Sequence, residues 1–92
     1  MGIKYSKHAL FRIGVRGVSK RQITLAIRDP DSAYRDLESD TTVAVKQFST
    51  RYLVVFFSTR GPDTRIVTVY YASDVSSLIS RKLRRGAWVL KE

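Results

Sequence analysis

The feature that most constrains the fold is an uninterrupted apolar run at residues 52–57, Tyr-Leu-Val-Val-Phe-Phe. Aromatic and β-branched residues favour strands, and successive side chains of a strand point to opposite faces. The run therefore predicts a strand over 51–58 that is apolar on both faces and lies in the centre of a sheet. Six residues are far fewer than the roughly 20 needed to span a bilayer as a helix, so we expect no membrane association and a cytoplasmic protein.

Two helices are predicted ahead of this strand. The first covers residues 6–13, with a serine N-cap and with Gly14 and Gly17 as stop signals. The second begins with a capping box at 19–22 and closes at the Asp-Pro step at 29–30. Its apolar stripe consists of Ile23, Ala26 and Ile27.

Further strands and one more helix complete the order of elements. The additional strands are expected at 31–38, 42–48 and 65–72, with a hairpin loop at 59–64. A third helix is expected over 74–85, closed by Gly86 and followed by a tail at 87–92. The chain is thus predicted to be one α+β domain over 1–92. It has two N-terminal helices, a three- to four-stranded, mostly antiparallel sheet and a C-terminal helix.

The charges are numerous and segregated. The chain has 17 Lys and Arg against 8 Asp and Glu, and residues 1–28 hold seven basic residues and no acid. Five of the acids fall between positions 29 and 40. Faces of one sign result, and a positive face on a small domain attracts polyanions, of which nucleic acid is the commonest.

The acidic segment is interpreted as a solvated loop and edge strand whose charge discourages edge pairing. Its spacing matches no calcium-binding loop. Because the chain also has no cysteine and a single histidine, we expect no metal site and no cofactor.

One helical face gathers groups that suit a phosphodiester. On a helical wheel Tyr5, His8, Arg12 and Arg16 fall within an arc of about 80°. Arginine binds phosphate oxygens bidentately, and histidine exchanges a proton near neutral pH. Sequence leaves two interpretations open, a phosphate-binding face and a solvated polar face with a half-buried histidine.

A second basic cluster lies in the last turn of the third helix. It consists of Arg81, Lys82, Arg84 and Arg85. Cations at this position complement the negative end of the helix dipole. Lys82 falls within the apolar arc, so it either extends its amine to solvent or points over the sheet toward a bound phosphate.

A family resemblance is carried by the N-terminal motif. Residues 5–9, Tyr-Ser-Lys-His-Ala, are followed by Arg12, by Arg-Gly-Val-Ser at 16–19 and by Asp-Pro at 29–30. With the strands at 52–55 and 65–70, this pattern resembles the BrnT-related family of the RelE/ParE toxin superfamily, over about residues 3–72. The resemblance implies a RelE-like fold, in which the helices pack on one face of an antiparallel sheet.

The resemblance also implies a function, namely the toxin of a type II toxin–antitoxin pair with an acidic antitoxin as partner. RelE-like members are metal-independent endoribonucleases that cleave mRNA, often on the ribosome, by attack of the 2′-hydroxyl on the adjacent phosphate. ParE-like members instead inhibit a topoisomerase. The matching catalytic positions are His8, for proton transfer, and Arg12 and Arg16, for the scissile phosphate. The predicted nucleic-acid-binding residues are Lys46, Arg65, Tyr70 and the cluster of Arg81, Lys82, Arg84 and Arg85. The alternatives are a non-catalytic basic module that binds nucleic acid or a protein, and a ParE-like topoisomerase inhibitor.

Overall fold

The computed structural model describes residues 2–91, which form three helices and six strands in the order β-α-α-β-β-β-β-α-β. The helices are α1 Lys7–Arg16, α2 Lys20–Arg28 and α3 Val75–Arg84. The strands are β1 Gly2–Tyr5, β2 Ser32–Asp36, β3 Thr41–Phe48, β4 Arg51–Arg60, β5 Asp63–Ala72 and β6 Trp88–Leu90. The α+β class is confirmed. The strand number is corrected from three or four to six, since β1 and β6 were not predicted.

The six strands form one mixed sheet in the order β1-β5-β4-β3-β2-β6. Strand β4 is central, as its apolar run predicts. All neighbours are antiparallel except β1 and β5, which pair in parallel between Gly2–Tyr5 and residues 63–66. Because β1 is short, β5 has no strand partner on that side beyond Ile66 within the described residues.

Helices cover both faces of the sheet. Buried residues of α1 and α2 pack with Leu53 and Val55, whereas α3 packs with Val54 and Trp88 on the other face. We call these the α1/α2 face and the α3 face. The expectation that all helices lie on one face is wrong, because β4 is apolar on both faces and each needs a cover.

The capping signals locate the helix ends well, with one exception. Ser6, Ser19 and Asp74 each accept a hydrogen bond from a backbone amide in the first turn of the following helix. However, α1 continues through Gly14 and ends at Gly17, which has a φ of 64°. A glycine inside a helix lowers the stability of the helix but does not end it. The left-handed backbone conformation at the end of a helix, by contrast, strongly favours glycine.

The predicted tail is structured where it is described. Trp88–Leu90 pairs with β2, and the Trp88 side chain is buried against Tyr34 and Phe56. Glu92 lies outside the described residues. The prediction of a solvated loop and edge strand at 29–40 is therefore wrong in two respects. Strand β2 is covered by β6 and is not an edge, and Asp36 of this segment is buried. No helix within residues 2–91 has the length and apolarity that a bilayer crossing needs.

Candidate nucleic-acid interface

Charge segregation persists in the folded chain. Four acids of the 29–40 segment form ion pairs, one with Arg35 of the same segment and three with cations from other elements: Arg35–Asp40, Lys46–Asp29, Lys46–Asp31 and Arg85–Glu38. By contrast, Lys4 is the only basic residue before position 29 that forms an ion pair within residues 2–91. The helical hairpin α1–α2 therefore presents uncompensated positive charge.

Helix α1 holds the three predicted catalytic residues in a line. Ala9 and Ile13 are buried and point to the sheet, so positions 8, 12 and 16 lie along one flank, one turn apart. His8 is exposed, and Arg12 and Arg16 are half-buried. We call His8, Arg12 and Arg16 the α1 stripe. The prediction placed Tyr5 with them, but Tyr5 belongs to β1 and its ring lies 5.0 Å from the Lys20 ammonium.

The stripe ends at the unpaired edge of β5. Arg16 Nη1 donates a hydrogen bond of 2.8 Å to the carbonyl oxygen of Val69. The same guanidinium lies 5.9 Å from the centroid of the Tyr70 ring, which belongs to the α3 face. Arg16 thus reaches from the α1/α2 face round the sheet edge to the opposite face.

Charged side chains from three elements influence the Tyr70 phenol. Burial raises the pKa of Tyr70 above its ordinary value of 10.0, Arg16 and Arg81 lower it, and Asp36 raises it. Both arginines therefore favour the ionised phenol, and Arg16 also contacts its ring. Because the pKa is raised on balance, the Tyr70 hydroxyl keeps its proton at neutral pH and can donate a hydrogen bond. We call Arg16, Tyr70 and Arg81 the Tyr70 cluster.

A β-bulge lies between the cluster and the part of β5 that pairs with β1. Phe57 pairs with Ile66 and Phe56 with Thr68, which leaves Val67 as the extra residue. Bulges bend a strand and redirect its side chains, and they are frequent beside functional sites. The bulge sets Tyr70, rather than Tyr71, on the α3 face, whereas Tyr71 packs on the α1/α2 face under Arg51.

The other predicted binding residues lie elsewhere. Lys46 Nζ donates a hydrogen bond of 2.8 Å to the backbone carbonyl of Asp29, so its ammonium holds the end of α2. Arg65 lies on the α3 face in an open groove at the far end of β5, beside Lys4 and Ser58. The structure does not bring Lys46 or Arg65 to the Tyr70 cluster.

Two residues of the C-terminal basic cluster contact other side chains of the fold, and two are exposed. Lys82 is half-buried, with its ammonium 5.9 Å from the Trp88 ring, and Arg85 donates a hydrogen bond of 3.0 Å to Glu38. Arg81 and Arg84 are exposed beside serines of α3 and form no ion pair within residues 2–91. Of the four, Arg81 alone acts on Tyr70.

Sequence reasoning missed two residues that shape the site. Asp36 is 5% exposed, and its carboxylate accepts hydrogen bonds from the amides of Glu38 and Ser39. Phe56 lies with its ring centroid 6.1 Å from that of Tyr70. The spacing of Tyr34 and Asp36 in β2 could have predicted that both side chains lie on the same face of the sheet, because residues two apart in a strand share a face.

Comparison with known proteins adds no relative. No protein-family profile, no curated protein and no solved structure matches the chain. The resemblance to the RelE/ParE toxins therefore stays a prediction.

Proposed function

We propose that the chain is a toxin-like, metal-independent endoribonuclease that binds single-stranded RNA along the α1 stripe and the Tyr70 cluster. The observation that carries the proposal is the contact of Arg16 with Val69 and Tyr70 at the end of a stripe that also holds His8 and Arg12. Residues of α1 and β5, far apart in sequence, thus contribute cations and a phenol to one sheet edge, and the exposed Arg81 of α3 lowers the pKa of that phenol.

Binding follows from the spacing of the stripe. Side chains one helical turn apart lie about 5–6 Å from each other, a distance of the same order as that between successive phosphates of a nucleic-acid strand. Arg12 and Arg16 can therefore contact neighbouring phosphates. The Tyr70 hydroxyl can donate a hydrogen bond to a phosphate or sugar oxygen, and Arg81 adds a second cation on the α3 face.

Cleavage follows from the chemistry of the exposed end of the stripe. The 2′-oxygen forms a bond to the adjacent phosphorus while the bond from phosphorus to the 5′-oxygen breaks. Neutral His8 accepts the 2′-hydroxyl proton, and solvent protonates the departing 5′-oxygen. Arg12, one turn away, stabilises the charge that builds up on the phosphate. The products are a 2′,3′-cyclic phosphate and a 5′-hydroxyl.

The test is cleavage of end-labelled RNA in EDTA, free and as mRNA on ribosomes. We expect cleavage by the native chain, and we expect His8→Ala and Arg12→Ala each to lower the rate about tenfold or more. Arg28→Ala is the matched control, because it removes an exposed cation from α2, outside the stripe. Absence of cleavage of both RNAs removes the enzyme from the proposal.

A second candidate is RNA binding without cleavage. It is favoured by the surroundings of His8, which takes part in no hydrogen bond, ion pair or aromatic contact within residues 2–91, so no carboxylate orients its ring. In this case the RNA stays intact and log Kd changes linearly with log salt concentration. His8→Ala then leaves the affinity nearly unchanged, whereas Arg12→Ala weakens it.

A further inference from the structure

The sheet ends at β6 in an edge strand that lacks the usual protection against pairing. Edge strands of soluble proteins commonly carry charged residues, proline or a bulge, because their unpaired backbone groups otherwise bind another strand. Residues 87–90 are Ala-Trp-Val-Leu, and their pairing with β2 has no bulge. Val89 and Leu90 are 44% and 66% exposed, and they point to opposite faces of the sheet. We call the free side of Trp88–Leu90 the β6 edge.

The backbone groups at the β6 edge follow from the pairing of β6 with β2. Backbone hydrogen bonds of 2.9 and 3.0 Å join β2 to the Ala87 carbonyl and to the Lys91 amide. Because groups that face the partner alternate along an antiparallel strand, the backbone of Val89 also faces β2. The amides and carbonyls of Trp88 and Leu90 therefore point outward, and no hydrogen bond within residues 2–91 uses them.

The opposite end of the sheet is protected. Lys4 lies in β1, and Arg16 occupies the carbonyl of Val69 at the free edge of β5. Helix α1 also packs along β5. One end of the sheet is thus charged and covered, whereas the β6 edge is apolar and open.

Charge near the β6 edge is compensated within the chain. Arg35 and Arg85 each form an ion pair with an acid of the 29–40 segment. The Lys91 ammonium lies 3.5 Å from the hydroxyl of Thr42. A second copy can therefore approach this edge more easily than it can approach the α1–α2 hairpin.

The strand order also keeps the cationic hairpins of two such copies apart. Helix α1 packs on β5, which lies four strands from β6. At roughly 4.8 Å per strand, two copies joined at β6 would hold their α1 helices about 40 Å from each other. This distance is several times the Debye length of about 8 Å at physiological salt, so repulsion between the hairpins is strongly screened.

We propose that the β6 edges of two copies pair antiparallel about a two-fold axis, which joins two six-stranded sheets into one. Trp88 of each copy lies opposite Leu90 of the other, so every outward amide and carbonyl of the edge gains a partner. Val89 lies opposite Val89 of the second copy, on the axis. The proposal concerns self-association and does not depend on RNA binding or cleavage.

Sedimentation equilibrium of the purified chain tests the pairing, over about 5 μM to 1 mM because an interface this small is weak. We expect a monomer–dimer equilibrium that tightens as salt rises, since each copy has a net charge of +9 and salt screens the repulsion. RNA binding has the opposite salt dependence. A chain that stays monomeric at the highest concentration, or a dimer that weakens as salt rises, overturns the proposal.

Substitutions at Val89 test the two-fold axis. Val89→Lys and Val89→Glu each place like charges opposite one another, and each should weaken the dimer about fivefold or more. An equimolar mixture of the two variants should form a heterodimer at least about threefold tighter than either homodimer, because opposite charges then meet. Net charge alone would place the mixture between the two variants. A mixture that is no tighter than both homodimers overturns the proposed register.

Phe11→Ser is the matched control for these variants. It removes an apolar side chain that is 67% exposed on α1, at the other end of the sheet, and should change self-association less than about twofold. Circular dichroism checks that all three variants are folded. A dimer that Phe11→Ser abolishes while Val89→Lys leaves it intact would place the interface on α1 and overturn the proposal.

Amide hydrogen exchange locates the interface on the backbone. The amides of Trp88 and Leu90 should gain protection as the protein concentration rises, because only the dimer gives them hydrogen-bond partners. The Val89 amide, which faces β2, should be protected at every concentration. Protection that instead rises with concentration at Val69 and Tyr71 would place the contact on the free edge of β5 and contradict pairing through β6.

Discussion

Arg16 Nη1 donates a hydrogen bond of 2.8 Å to the carbonyl oxygen of Val69 and thereby ties the last turn of α1 to the free edge of β5. The bond satisfies a carbonyl for which β1 is too short to provide a partner. One guanidinium therefore has two uses. It holds a helix against the sheet, and it places positive charge beside Tyr70.

The first prediction concerns this bond. Arg16→Ala should lower the free energy of unfolding by about 1–2 kcal/mol, somewhat less than a fully buried charge-assisted bond because Arg16 is half-exposed. Arg12→Ala is the control, since Arg12 forms no hydrogen bond or ion pair within residues 2–91 and should change stability by less than about 0.5 kcal/mol. Urea denaturation measures both. Equal losses for the two variants would contradict a special role of the Val69 contact.

The second prediction concerns Trp88, the only tryptophan of the chain. Its side chain is 1% exposed and stacks on Tyr34, but its indole nitrogen is buried without a hydrogen-bond partner within residues 2–91. Trp88→Ala should cost about 3–5 kcal/mol by leaving a cavity. Trp88→Phe should cost clearly less, because the ring remains and an unsatisfied donor is removed. Chemical denaturation followed by circular dichroism gives both values, and similar losses would show that shape filling by an aromatic ring is not what matters.

The fold was predictable where the signals are local. The apolar run of β4 and the caps at Ser19 and Asp74 each act within a few residues. Strands β1 and β6 were not predictable, because four and three residues carry no periodicity. Both depend on partners far along the chain, such as Asp63 for Gly2. The number of strands is set by such distant pairing.

The candidate site divides in the same manner. The line of His8, Arg12 and Arg16 follows from helical periodicity, so a helical wheel predicts it. The contact of Arg16 with Val69 and Tyr70 depends on how α1 packs against β5, which no local pattern encodes. The pairing of Lys46 with Asp29 and Asp31 is also a tertiary contact. It gives Lys46 a structural role that could not be predicted from its charge alone.

The third prediction concerns pH. The pKa of Tyr70 is raised above 10.0, chiefly by burial, so the folded chain holds this proton more tightly than the unfolded chain does. Stability that depends on the protonated phenol is complete below about pH 10 and is lost as the pH rises through the folded pKa. We expect the free energy of unfolding to fall above pH 10, and less steeply in Tyr70→Phe. Burial also raises the pKa of Tyr5. Tyr5 should therefore account for part of the fall in stability that remains in Tyr70→Phe, and Tyr5→Phe should remove that part.

The charges beside Tyr70 give this prediction a control. Arg16→Ala should raise the pKa of Tyr70 further, because Arg16 lowers it, whereas Asp36→Asn should reduce it. Ultraviolet or NMR titration of the phenol measures both directions. Shifts of the same sign in the two variants would contradict the arrangement of charges around the ring.

The fourth prediction separates a binding cation from a structural one. Arg81 is exposed and forms no ion pair within residues 2–91, whereas the ammonium of Lys46 lies 2.8 Å from the Asp29 carbonyl oxygen. For a single-stranded RNA, Arg81→Ala should weaken binding and reduce the slope of log Kd against log salt by about 0.7, the loss of one phosphate contact. Lys46→Ala should leave that slope unchanged and instead lower the free energy of unfolding by about 1 kcal/mol. Fluorescence anisotropy at several salt concentrations, with urea denaturation, measures both effects. A reduced slope for Lys46→Ala would contradict the structural role of Lys46. It would mean that the Lys46 ammonium gives up its contact with Asp29 and binds a phosphate of the RNA instead.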